Sequence, residues 1–243
     1  MSADHADWEA DISKLATAAG AAAPAGAPGA ESAQARPARI ILLRHGEKKN
    51  SRELCDVGKL RAQALAAQYL GKGAPGNDVI FGDGGKPDAF FAVTAHTEET
   101  AAPSAGTWGM QPTMFSVLPD DPDEEADLDT QTQKAAAALA SADYAGKTVV
   151  VVWEHKHIAN ESLANTFWTL LKLGEIPNAK APISWAGTNY DYFWIIDYTG
   201  SQPTYTAVQQ DYANAAYTQV PNNPWGVAVD ETKFPAFYQD CKQ

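Results

Sequence analysis

Two uninterrupted apolar runs, Ile40-Ile41-Leu42-Leu43 and Val149-Val150-Val151-Val152, each pass directly into a polar segment that carries a histidine. The segments are Arg44-His45-Gly46-Glu47 and Trp153-Glu154-His155. Apolar runs without polar alternation read as strands buried on both faces, the pattern of a largely parallel sheet covered by helices. In such sheets ligands bind outside the carboxyl ends of the strands, so the two histidines are placed to share one crevice. An Arg-His pair there suits a phosphoryl group, because the guanidinium offers a planar charged fork and a neutral imidazole can attack phosphorus. A structural account also exists for each residue alone, an arginine in a strand-end ion pair and a histidine capping a turn. The repetition of the pattern at the second strand favours a site.

Four segments in order, Leu43-Arg44-His45-Gly46-Glu47-Lys48, Leu54 to Ala62, Ala95-His96-Thr97-Glu98-Glu99-Thr100-Ala101 and Trp153-Glu154-His155-Lys156-His157-Ile158, resemble the histidine phosphatase superfamily. The likeness is to its phosphoglycerate-mutase-like branch and that branch's small bacterial phosphatases, and it spans residues 38–200. It implies a three-layer α/β/α domain, a mostly parallel sheet flanked by helices. It also implies a phosphomonoester hydrolase working through a phosphohistidine on His45, with Arg44 clamping the phosphoryl oxygens and His155 opposite. The chain departs from the family at one point: His96 stands where a second clamping arginine is usual.

Composition narrows the partners. A net charge of -12 disfavours nucleic acid and anionic membrane, so a basic site must be a local pocket. All five arginines, Arg36, Arg39, Arg44, Arg52 and Arg61, fall in one short stretch, whereas 119–129 carries seven acids. Two cysteines, Cys55 and Cys241, are too few for a disulfide framework or a metal-ligand set and read as free thiols of a reducing cytoplasm. No signal-like or membrane-spanning stretch is evident, which makes a cytoplasmic protein the expectation.

Residues 16–38 are almost wholly Ala, Gly, Pro and small polar residues, a linker composition, preceded by helical spacing over 5–18. The expected partition is a flexible leader, 1–36, and one domain, 37–243. Within the domain we expect strands over 39–44, 88–94, 148–153, 192–197 and 203–208, the last two as a hairpin. Helices are expected over 57–70, from 98 with Thr97 as cap, over 130–142, and over 158–173 closed by Gly174. The last thirty residues, with Pro221, Pro224 and Pro235, read as an irregular wrap.

The chemistry follows from residue types. Attack on a phosphomonoester needs positive charge around its oxygens and an uncharged nucleophile, which assigns Arg44 and His45. The resemblance also implies that His155, as an imidazolium on the opposite side of the phosphate, would stabilise charge in transit. The leaving alkoxide needs a proton, for which Glu47, Glu154, Glu98 and Glu99 are the candidates, Glu98 and Glu99 also being explained as first-turn acids of a helix. Gly46, Glu47, Arg52 and His96 are the candidate substrate-binding residues, with Lys48 and Lys49 near the pocket mouth. His155 and His157 lack a third partner for a metal, so neither metal nor cofactor is expected. Trp153, Trp168, Trp185, Trp194 and Tyr190 read as packing or cleft rim. The partner expected is a small phosphorylated molecule. The alternative is a repurposed member that keeps the pocket to bind an anionic ligand or a partner, since a histidine at 96 supplies at most one pH-dependent charge and no fork.

Overall fold

In the computed structural model, which describes residues 35–177, 179–212, 214–233 and 240–241, the first apolar run is strand β1 (Arg39–Arg44), buried from Ile40 onward. Expectations for residues 1–34, the helix over 5–18 among them, lie outside the described residues. The chain continues through α1 (Asp56–Leu65), prolonged by a π-helical turn over Ala66–Leu70, then α2 (Asn77–Phe81), β2 (Ala89–Ala92) and α3 (Ala95–Thr107). There follow β3 (Thr113–Met114), α4 (Glu124–Leu139), β4 (Thr148–Trp153), α5 (His155–Ile158), α6 (Phe167–Leu170), β5 (Tyr192–Asp197) and β6 (Thr204–Gln209). These strands form one mixed sheet in the order β3-β2-β4-β1-β5-β6. The first four are parallel, and β5 and β6 add an antiparallel hairpin.

The period-two alternation of the strands separates two cores. Ile40, Leu42, Val149, Val151, Trp153 and Trp194 pack on one face with Leu128 and Leu139 of α4, Ile158 and Phe167. Ile41, Leu43, Val150, Val152 and Phe193 pack on the other with Leu65 of α1, Phe81 of α2, and Ala101 and Ala105 of α3. Burying each such large apolar side chain contributes about 1.5–3 kcal/mol, which is why unbroken apolar runs sit at the sheet's centre. The result is the three-layer α/β architecture that the pattern predicts.

Several boundaries differ, each for a local reason. The helix expected over 158–173 is absent: the Trp185 amide takes the Ala159 carbonyl at 2.9 Å and Asn160 Oδ1 takes the Ser162 amide at 2.9 Å, so the helical ladder stops. A new start comes at Thr166, whose side chain caps α6. Helix α3 begins three residues before the expected 98, and its cap is Thr94, with Thr97 completing a capping box. Helix α4 starts at Glu124 and takes Glu124, Glu125 and Asp127 into its first turn, where the dipole favours them. The linker's end is not loose: the Arg36 carbonyl accepts from Gly146 N at 2.9 Å and the Ala38 amide donates to Lys147 O at 2.8 Å. Beyond β6 the described residues contain only short 3-10 turns, as expected of a wrap.

The cysteines correct the sequence reading. Cys55 and Cys241 are joined in a disulfide with Cα atoms 5.2 Å apart. No helix among the described residues is long and apolar enough to cross a membrane.

Candidate active site

Parallel pairing of β1 with β4 in the register Arg44↔Trp153 brings the residues just past both strands side by side. His45 and Glu154 meet there, with His45 Nε2 3.1 Å from Glu154 Oε2. The His45 ring is buried, and its Nδ1 donates to the Gly46 carbonyl at 2.6 Å. That bond fixes the tautomer: the neutral ring presents a lone pair at Nε2, which has no aligned hydrogen-bond partner. Burial pushes the His45 imidazole down to about 4, against the pull of Glu154, so the ring is uncharged at neutral pH. Glu154 Oε1 accepts from Thr94 Oγ1 at 3.0 Å, and Lys48 Nζ reaches both carboxylate oxygens at 3.2 and 3.1 Å. Burial acts to raise this carboxyl, but the contacts with His45 and Lys48 outweigh it and hold it well below the usual range.

Two buried arginines near the pocket are held in opposite ways. Arg61 of α1 donates to Glu47 through Nε at 3.0 Å and Nη2 at 2.7 Å, and it also reaches Gln210 and the Pro221 carbonyl. Burial opposes the Arg61 charge, and Glu47 more than offsets it. Arg44 instead meets neutral groups. Its Nη1 donates to the Gly187 carbonyl at 2.6 Å, and its guanidinium carbon lies 3.7 Å from the centre of the Tyr190 ring. Its Nε is buried without a hydrogen-bond partner.

Glu47, expected at the substrate, therefore spends its carboxylate on Arg61. Glu47→Gln should leave Arg61 buried with its charge uncompensated and cost about 3 kcal/mol of folding free energy in urea titration. A loss under about 1 kcal/mol would mean that the remaining hydrogen bonds suffice to hold Arg61.

Gly46 has a structural explanation as well. A Cβ there would lie 2.9 Å from the Gly58 carbonyl oxygen, and one at Gly58 would lie 2.2 Å from the Glu47 oxygen, so the loop and α1 approach backbone to backbone. The Gly46 amide, expected to approach the substrate, donates to Thr100 Oγ1 at 2.9 Å.

His155 and His96 flank His45, with ring centres 6.4 and 5.8 Å from it. His155 was expected as an imidazolium, yet burial, then Arg44 and His45, push it down to about 2, so it is neutral in the empty pocket. His96 Nε2 lies 2.7 Å from the Asn50 carbonyl, and burial followed by Lys48 lowers its basicity. It reaches the pocket, but with its ring proton directed to a backbone oxygen and no standing charge. Arg52 lies exposed on the same loop, where its amide donates to Asn50 Oδ1 at 2.8 Å. Of the other acids, Glu99 accepts from the Leu54 amide at 2.8 Å, while Glu98 is an exposed first-turn residue of α3. His157 points elsewhere, its Nε2 3.2 Å from Asp129 Oδ1 on α4.

The ligand atoms of His45, Glu154 and His155 lie within 4.8 Å of one another, the spread of a metal-binding set. Lys48 on Glu154, and Arg44 among the charges that depress His155, oppose a cation there. The same two charges favour an anion. A second group, Cys55, Asp240 and Cys241, has its sulfurs committed to the disulfide.

Tyr190 and Thr94 enter the site without a clear signal in the sequence. Tyr190 reads from the sequence only as packing or cleft rim, and Thr94 as the last residue of an expected strand. No family model matches the chain, and no curated protein matches it. Among solved structures, it is similar to a candidate phosphohistidine phosphatase, SixA, from Nakamurella multipartitia, at 18% identity and a TM-score of 0.39, covering 72% of this chain and 96% of that one.

Proposed function

We propose that the chain is a metal-independent phosphohydrolase that cleaves a phosphomonoester through a phosphohistidine at His45. The observation that carries this reading is the neutral, buried His45 ring, its Nε2 3.1 Å from Glu154 Oε2 without an aligned hydrogen bond, beside an arginine that among the described residues has no carboxylate in hydrogen-bond contact. Attack by Nε2 forms the N–P bond as the ester P–O bond breaks, and the alkoxide leaves with the proton that the monoanionic ester brings in and Glu154 relays. Water then attacks phosphorus while Glu154 takes its proton, releasing phosphate and restoring His45. The phosphoryl oxygens rest against Arg44 and Lys48, with the neutral His155 ring beside them. His96 completes the wall of the pocket.

Because Glu154 is ionised in the empty pocket, the proton for the leaving group must enter with the substrate. A phosphomonoester carries that proton below its second ionisation, at about pH 6. Activity should therefore rise as pH falls toward about 6, and fall again as His45 is protonated through its value of about 4. Measuring kcat/KM for a generic phosphomonoester from pH 3 to 8, with and without chelator, tests both parts. An acid limb near 6.5, or loss of turnover with chelator, would count against the reading.

The second reading is a pocket that holds an anionic ligand without turnover. The observation that favours it is the missing second guanidinium: His96 is uncharged, and Glu47 neutralises Arg61. Losing one bidentate charged contact costs about 2–3 kcal/mol, or roughly 30- to 150-fold in rate. Phosphate binding without a trapped phosphoenzyme would decide for it.

A further inference from the structure

We infer that Tyr190 is a positioning residue that holds the Arg44 guanidinium as an anion clamp with no carboxylate in direct contact, a step that deepens the function proposed above and rests on it. The contrast with Arg61 makes the argument. Both guanidinia are buried near the same end of the sheet, and a carboxylate is the usual way to stabilise such a charge. Arg61 has one in Glu47, and its field is largely cancelled before it reaches the pocket. Were Arg44 held the same way, an incoming phosphate would have to compete with its own clamp's counter-ion.

Arg44 is held by groups that carry no net charge. The Gly187 carbonyl accepts from Nη1 at 2.6 Å, the Asn189 carbonyl lies 3.4 Å from the same nitrogen, and the Tyr190 ring faces the guanidinium at 3.7 Å. The ring's negative face stabilises a cation without neutralising it, and this interaction is strongest where water is excluded. With Nη1 occupied, one planar face covered and Nε buried out of reach of solvent, Nη2 is the nitrogen left for the ligand. The Tyr190 ring also borders the other groups of the pocket: its centre is 6.1 Å from that of His45 and 6.0 Å from the Arg61 guanidinium carbon.

The loop that carries Tyr190 is fixed independently of Arg44. Asn189, fully buried, donates through Nδ2 to Asp191 Oδ1 at 3.2 Å and to the Asn223 carbonyl at 2.9 Å, and its Oδ1 accepts from Gly226 N at 2.7 Å. Trp185 Nε1 donates to the Asn189 carbonyl at 2.9 Å. The ring is thus a rigid surface against which a long, flexible side chain is pressed, rather than a partner that moves with it.

The test compares wild type, Tyr190→Phe and Tyr190→Leu in the full chain. Binding of inorganic phosphate is measured by calorimetry, alongside KM and kcat on a generic phosphomonoester. Phenylalanine keeps the ring face, so both constants should stay within about threefold of wild type, whereas leucine should weaken phosphate binding and raise KM together by about 10- to 30-fold. The acid limb set by His45 should stay near its wild-type position in both variants, which a general disturbance of the pocket would not allow. Equal weakening by phenylalanine and leucine, or a leucine variant that binds phosphate like wild type, would overturn the inference. Wild type that binds phosphate but releases none from an ester would overturn the proposed hydrolysis and leave the clamp standing. Wild type that does not bind phosphate would overturn the clamp.

Discussion

Replacing His45 with alanine should abolish the proposed phosphate release, by a factor of about 10⁴ or more, because catalytic groups that act as a unit lose nearly everything when the nucleophile goes. No neighbouring group can substitute. His155 and His96 have ring centres 6.4 and 5.8 Å from that of His45, and His96 has its Nε2 on the Asn50 carbonyl. Rapid-quench labelling of wild type with a radiolabelled phosphomonoester should trap a phosphoenzyme stable in base and labile in acid. The alanine variant should show none while keeping its far-ultraviolet circular dichroism. Turnover by the variant at more than a hundredth of the wild-type rate would place the nucleophile elsewhere.

Breaking the Cys55–Cys241 disulfide should produce the largest loss of stability. The bond closes a loop of 186 residues in the unfolded chain, for which chain-entropy reasoning gives about 5 kcal/mol. In a protein of this size that corresponds to a fall in Tm of about 10–20 °C. Cys241→Ser, Cys55→Ser and wild type in reducing agent should all melt at the lower temperature, and the variants should not respond to the reductant. A wild-type Tm that ignores reductant while thiol titration shows two free sulfhydryls would rule the stabilisation out. With the thiols paired, the sequence argument for a reducing cytoplasm loses its support, since such bonds persist mainly in oxidising compartments.

What was legible in the sequence follows from the range of each signal. Strands β1 and β4 are read correctly to the residue because their burial is written in consecutive apolar residues, and the histidines that follow them do come together, with ring centres 6.4 Å apart. The hairpin of β5 and β6 is likewise visible in its own residues and turn. Helix 158–173 failed because apolar spacing there serves burial in a turn-rich segment, and only the distant Trp185 amide reveals that the ladder is broken. The charge roles were harder. Arg61 and Glu47 lie fourteen positions apart, and nothing local says that one cancels the other. His155 was expected to be charged because it stands beside a phosphate site, whereas the burial that lowers its basicity comes from the fold around it. The disulfide joins a loop near the start of the domain to the chain's end, a pairing that two isolated cysteines cannot announce.

The wrap beyond β6 has a consequence for the order in which this pocket can assemble. Arg61 is held by Gln210 and the Pro221 carbonyl, the Arg44 clamp loop by Asn223 and Gly226, and the loop after His45 by Cys241. The fastenings on Arg61 and the Cys55–Cys241 bond reach back across 149–186 positions of chain, so they are contacts of high sequence separation, closed late in folding and slowly. During synthesis the motif that begins at Arg44 leaves the ribosome long before its supports do. A nascent chain therefore carries His45 and both arginines before the residues that fasten them, and the pocket becomes a defined anion site only once residues 210–241 have been made.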